Sequence, residues 1–224
     1  MDRTVRRQSA AEFLDRLIEI AKWPTGLLAV IVLPTTFMSS LRVLIGEFPS
    51  TRYLTFTVGA LCYILVARWL QRIRLFGTFF STLEHELTHA FVAILTFHPV
   101  LSIRSTWRNG GHIRILGRGN WLITIAPYFL PTISVILMPV VWLAPFPFSI
   151  GAVAAQGVSW GYHVWSTVHE THRGQSDLKK VGWIFSWIFL PTANLISMVG
   201  ILAFAVGGWA GLRTFLVNCI PWIG

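Results

Sequence analysis

The chain has 224 residues, 54% of them apolar and only 12% charged, yet it carries a net charge of +9. That charge share is about half the usual one for a soluble domain, and the mean hydropathy is +0.63, which together exclude an ordinary soluble domain, a disordered chain and a collagen-like chain. The charges sit in short islands between long apolar runs, the pattern of a multi-pass membrane protein whose Lys and Arg meet lipid headgroups; no basic stripe or module signature points to nucleic acid.

Residues 11–22 read as an amphipathic helix with Phe13, Leu14, Leu17, Ile18 and Ala21 on one face and Asp15, Arg16, Glu19 and Lys22 elsewhere. With Arg3, Arg6 and Arg7 before it, the segment 1–22 is expected to lie at the membrane interface or to form a plain extramembrane helix. It contains no apolar core segment, so no cleaved signal peptide is expected. Residues 23–224 are expected to form one polytopic membrane domain with its core at about 75–200. The 19 uncharged residues between Lys22 and Arg42 suffice for a first span, and the 15 between Arg52 and Arg68 for a short second one whose ends snorkel. A third helix is predicted over 73–97, ended by Pro99. Over 100–116 the period changes: Ile103, Ser105 and Trp107 alternate, Asn109-Gly110-Gly111 supplies a turn, and His112 to Ile115 alternate again, which predicts a β-hairpin. The 44 uncharged residues from Gly119 to Tyr162 predict two spans, 121–144 and 148–168, broken at Ala144-Pro145-Phe146-Pro147. A polar island from His169 to Lys180 precedes a last span, 181–205, and a turn at Gly207-Gly208. The expected fold is therefore an all-α integral membrane bundle of about six transmembrane helices with a short hairpin. Leu-Pro-Thr occurs at 33–35, 130–132 and 190–192, each time inside a span, where threonine can re-satisfy backbone groups freed at a kink. Cys62 and Cys219 make no metal or disulfide framework, and Cys62 reads as a buried free thiol.

The string Thr82-Leu83-Glu84-His85-Glu86-Leu87-Thr88-His89 carries the chemistry. His85 and His89 are four apart, so on a helix both rings project from one face and reach one zinc ion. Glu86, beside the first ligand, is placed to take a proton from a water on that ion and pass it to a leaving amine. This is the His-Glu-x-x-His metallopeptidase motif, and chance placement of 7 His and 6 Glu gives roughly 0.006 matches in such a chain, so coincidence is a poor account of it. The motif lies about 15 Å of helix from either end of its predicted span, where ionisable groups are costly and mark function. Catalytic zinc takes three protein ligands, and the third is open among His163, His169, Glu170, His172 and Asp177. Asp177 is the only aspartate beyond residue 15 and precedes the last span, where it serves either as ligand or as a helix N-cap.

A His-Glu-x-x-His helix within the membrane, a β segment after it and a later Asp near the start of a span resemble the site-2 protease family of intramembrane zinc metalloproteases. The chain is most similar to the small bacterial-type members without a PDZ domain, in which a Ser-Asp pair, here Ser176-Asp177, follows the penultimate span. The resemblance covers about 75–200. It implies His85, His89 and Asp177 as ligands to one zinc per chain, Glu86 as catalytic acid and base, a transmembrane protein as substrate in the cell membrane, and peptide-bond hydrolysis as the activity. Two departures stand out. The aspartate context is Gln175-Ser176-Asp177-Leu178 rather than Leu-Asp-Gly or Asn-Pro-Asp-Gly. The family's Gly-Pro-x-x-Asn has only Ala126-Pro127-Tyr128-Phe129-Leu130 as counterpart, so the oxyanion donor is not carried over; His169, His172 and Asn194 are candidates for transition-state or substrate contact. The hairpin, through Ile103, Trp107 and Ile113, is a candidate strand for holding unwound substrate by β-addition, or else an ordinary loop with Arg104, Arg108, Arg114 and Arg118 at headgroups. Two rivals stand beside this reading: an inactive pseudoprotease that binds membrane partners, and a di-iron hydroxylase using His85, His89, His169 and His172.

Overall fold

The computed structural model describes residues 3–46, 50–73, 75–107, 110–220 and 222. Glu47, Arg74, Arg108 and Asn109 lie outside them, as do the side chains of Arg3, Arg6 and Arg7. The first helix, α1 (Arg3–Gly46), continues from the amphipathic segment into the first predicted span without a break. Its packed face overlaps the apolar face only in part. Ala11, Leu14, Asp15 and Ile18, spaced three and four apart, turn inward, whereas Phe13 is 62% and Leu17 45% exposed. The apolar stripe is thus split, Leu14, Ile18 and Ala21 turning inward and Phe13 and Leu17 outward, as they can where the surroundings are lipid, and a carboxylate faces in.

After α2 (Thr51–Leu70), a π-helical turn (Leu75–Phe80) leads into α3 (Ser81–Leu95), which bears the His-Glu-x-x-His string. The hairpin follows as predicted: β1 (Val100–Ser105) pairs antiparallel with β2 (Gly111–Ile115), Ile103 opposite Ile113. Then come α4 (Trp121–Ile125), a 3₁₀ turn (Ala126–Tyr128), α5 (Thr132–Leu143), α6 (Phe148–Glu170), α7 (Ser176–Val181) and α8 (Trp183–Cys219).

Three of these helices are long and apolar enough to cross a membrane: Ser9–Gly46 of α1, α2 and α8. A fourth span results if the segments Trp121–Tyr128 and Thr132–Leu143, bent by 73° to one another, are one broken crossing. This revises the expected six. The α3 helix has only 15 residues, and α6, though 23 residues long, carries Gln156, His163 and three serines. The straight span predicted over 121–144 is broken because Pro127 and Pro131 each lack an amide hydrogen, and the backbone turns between them.

The α2 and α6 helices touch backbone to backbone. A Cβ on Gly157 would collide with the Phe56 carbonyl, one on Gly59 with the Ala154 carbonyl, and one on Gly161 would lie 2.7 Å from the Ala60 oxygen. Gly157 and Gly161 form a Gly-x-x-x-Gly stripe, the small-residue pattern that lets membrane helices approach closely. Gly157→Leu is expected to force this pair apart at a cost near the top of the ~1–3 kcal/mol typical of overpacking; a lowered midpoint of thermal unfolding in detergent would register it.

The α8 helix is two helices joined at Gly208 (φ 61°, ψ −150°), so the turn expected at Gly207-Gly208 is present. The last segment folds back, with Gly211 against the Ala203 carbonyl and Leu212 and Phe215 over Gly200. The threonines of the three Leu-Pro-Thr strings bond across helices as well as within them. Thr35 Oγ1 donates to Val32 O (2.9 Å) and Cys219 O (2.7 Å), Thr192 Oγ1 donates to Ala29 O (2.8 Å), and Thr132 Oγ1 lies 2.8 Å from Thr88 Oγ1 of α3. Both cysteines are free, but Cys62 is exposed on the outer side of α2 instead of buried.

Candidate metal centre

Helical spacing brings the His85 and His89 rings within 4.8 Å, centroid to centroid, on one face of α3. The third member arrives from 92 residues downstream. The α7 helix is one and a half turns long, anchored by Leu178 and Val181, which are buried with Trp121, Ile125, Tyr128 and Phe185. Asp177 lies in its first turn but is not its cap: Gln175 holds that position, and Gly182 precedes α8. The carboxylate instead faces α3, with Asp177 Oδ2 3.5 Å from His85 Nε2 and 3.4 Å from His89 Nε2. Lys180 Nζ is 3.3 Å from the other oxygen. Asp177 Oδ2 thus stands at ligand spacing from both ring nitrogens.

The other nitrogen of each ring is already committed. His85 Nδ1 lies 3.0 Å from Glu170 Oε2, and His89 Nδ1 lies 2.7 Å from Ile123 O. Both partners accept, so each Nδ1 carries a hydrogen, and in the neutral ring Nε2 then presents its lone pair. Glu170 is itself held by Ser81 Oγ (3.0 Å) and Ser166 Oγ (2.8 Å). The Ile123 carbonyl is free for His89 because the residue four positions on, which would normally bond it, is Pro127 and has no amide hydrogen.

With both rings neutral, two imidazole lone pairs and a carboxylate oxygen converge with no proton between them. A divalent cation, or an extra proton on each ring, is needed to hold that arrangement. The donor set suits zinc: ligand atoms about 2.0–2.2 Å from a tetrahedral ion lie roughly 3.3–3.5 Å apart, which is the spacing of both nitrogens from Asp177. His85, His89 and Asp177 form a triad that could hold a metal ion, with all candidate ligand atoms within 4.8 Å of one another, and no other such group occurs among the described residues. Compared with protein-family models, curated proteins and solved structures, the chain matches none. The site is therefore read from its own geometry.

The triad opens into a cavity of about 620 Å³ lined by both histidines, Glu86, Asp177 and β2 from Gly111 to Ile115 except Arg114. Glu86 lies on the same helix as the histidines and is 7% exposed. The hairpin is seated on α3 through Gly111, where a Cβ would come within 2.6 Å of Thr82 Cγ2, 2.8 Å of Glu86 Cγ and 2.8 Å of the Arg104 carbonyl.

The remaining candidates lie elsewhere. Ile113 lines the cavity, but Ile103 and Trp107 do not, and the Trp107 ring stacks on Phe79 at 4.6 Å. His169 is exposed, stacked on Trp165 and donating to its carbonyl; His172 is exposed and accepts from the Gly174 amide. His163 is buried in α6 beside Thr167, outside the triad. Asn194 donates to the Tyr128 and Leu190 carbonyls and borders a separate apolar cavity of about 570 Å³. None of His163, His169, His172 and Asn194 borders the metal-site cavity; His112 lines it but does not join the triad, so among the described residues a di-iron centre gains no support. Sequence reasoning missed the roles of Ile123 O, Ser81 and Ser166. It weighed Glu170 as a ligand, whereas this carboxylate orients one. The position of Pro127 four residues after Ile123 was the available signal.

Proposed function

We propose that this protein is an intramembrane zinc metalloprotease of the site-2 protease kind, hydrolysing peptide bonds of membrane-embedded protein substrates in the cell membrane. The observation that carries the reading is the convergence of two oriented Nε2 lone pairs and the Asp177 carboxylate, with Glu86 on the wall of the same cavity.

His85 and His89 would hold the ion through Nε2 and Asp177 through Oδ2. When bound, zinc would supply Lewis-acid chemistry, acidifying a coordinated water and polarising the scissile carbonyl. Glu86 accepts the proton as water adds to the carbonyl carbon and returns it to the amine as the C–N bond breaks, leaving a carboxylic acid and an amine. Glu170 and the Ile123 carbonyl keep the two rings from rotating during the reaction. The β2 strand, along the cavity wall, offers backbone groups to a substrate segment that must unwind before its peptide bonds can be attacked. In keeping with this, Gly111→Ala is expected to lift the hairpin off α3 and cut cleavage strongly while zinc content stays unchanged, which paired metal analysis and cleavage assays would register.

The direct test is cleavage of a reporter span by the purified protein in detergent. Activity should vanish with a zinc chelator and return with added zinc. Undiminished cleavage by metal-stripped protein would refute the assignment.

A further inference from the structure

We propose that Asp15, on the N-terminal helix, is a positioning residue for the metal ligand His89, acting through Asn120 and the Ile123 carbonyl; this rests on the metal reading of His85, His89 and Asp177. Three successive hydrogen bonds make the links. Asp15 Oδ1 accepts from Asn120 Nδ2 at 2.7 Å, Asn120 Oδ1 accepts from the Ile123 amide at 3.1 Å, and Ile123 O accepts from His89 Nδ1 at 2.7 Å.

Each link constrains the next. A side-chain amide has one donating end and one accepting end. Once its nitrogen is held by Asp15, the Asn120 oxygen must face the first turn of α4, where it caps the helix. The cap fixes Ile123, and Pro127 leaves the Ile123 carbonyl with no helical partner except the His89 ring. Asp15 is itself held from the far side: its Oδ2 pairs with His98 Nε2 at 3.1 Å, and His98 Nδ1 lies 3.1 Å from Thr96 Oγ1. A second tether, Trp121 Nε1 to Ile18 O at 2.6 Å, joins the same two helices.

The neighbouring acids of α1 do nothing similar. Glu12 and Glu19 are exposed, and Glu19 reaches only Lys22 at 3.8 Å. Amphipathicity alone gives no reason for a carboxylate on the packed face at position 15. A role in aiming His89 gives one, and it makes the N-terminal helix part of the metal site 105 residues away from Asn120 in sequence.

The test is zinc affinity of the purified full chain, by chelator competition, with the visible ligand-field bands of the cobalt(II)-substituted protein as a readout of ligand geometry. Asp15→Ala should weaken zinc binding about tenfold, the lower edge of the roughly 10–100-fold lost with outer partners of a ligand, and should alter the cobalt bands. Asp15→Asn, which keeps an acceptor for Asn120, should stay near wild type, as should Glu19→Gln. Zinc affinity of Asp15→Ala within about twofold of wild type, with unchanged cobalt bands, would overturn the proposal. If Asp15→Ala does not fold, Asn120→Asp decides: it keeps the cap but sets two carboxylates together, and combining it with Asp15→Asn restores a donor–acceptor pair. Recovery of zinc affinity in the double variant supports the proposal, and no difference between single and double variants refutes it. Wild-type protein that binds no zinc would remove the metal reading and this inference with it, an outcome distinct from the loss of Asp15 dependence alone.

Discussion

Glu86→Gln is expected to lose cleavage by on the order of 10²–10⁴-fold, about 3–5 kcal/mol of transition-state stabilisation, with zinc still bound. The substitution keeps size and shape but removes the group that takes and returns a proton. It touches none of the ligand atoms, since His85 and His89 hold their own outer partners, Glu170 and Ile123. Metal content and cleavage should therefore separate: one zinc per chain in both proteins, turnover in one. Equal cleavage rates would reject Glu86 as acid and base, whatever the metal analysis gave.

The second large effect is expected at Asp177. Asp177→Ala removes the only carboxylate among three ligands and should cost more zinc affinity than the roughly 10–100-fold lost when an outer partner is removed. Metal content after dialysis should fall from one per chain to a small fraction, and cleavage with it. His172→Ala is the matching control. The two residues are five apart and share one polar island, but His172 is exposed and bonded to Gly174, away from the cavity. It should keep both metal and activity. Loss of zinc in His172→Ala with retention in Asp177→Ala would reverse the ligand assignment.

What could be read along the chain was local. The 85/89 spacing placed two rings on one helical face because an α-helix repeats every 3.6 residues. The period change at 100–116 gave the hairpin, and Gly207-Gly208 the turn in α8. Readings that needed a partner fared differently. Which side of the 11–22 helix packs inward depended on Asn120 and His98, more than 80 residues on from Asp15, so the apolar stripe marked it only in part. The break within 121–144 was marked by Pro127 and Pro131, yet a proline in a membrane helix can kink or break it, and only the surrounding contacts choose. The Gly157–Gly161 stripe could have been seen, but not that it meets α2.

By itself the sequence determined the apolar, charge-poor class of the chain, the hairpin, and a helix bearing His85, Glu86 and His89, because composition and short-range periodicity act within a few residues. It also concentrated the scarce acids: of nine, four lie in the first 22 residues and four at or beside the triad. Only the tertiary structure decided that Asp177, out of five candidates, meets the two histidines, that Glu170 and the Ile123 carbonyl set their tautomers, and that Asp15 turns inward to Asn120. Those choices depend on where α1, α4, α6 and α7 dock around α3. Docking is set by buried shape and hydrogen-bond satisfaction summed over the whole bundle, which no local pattern encodes.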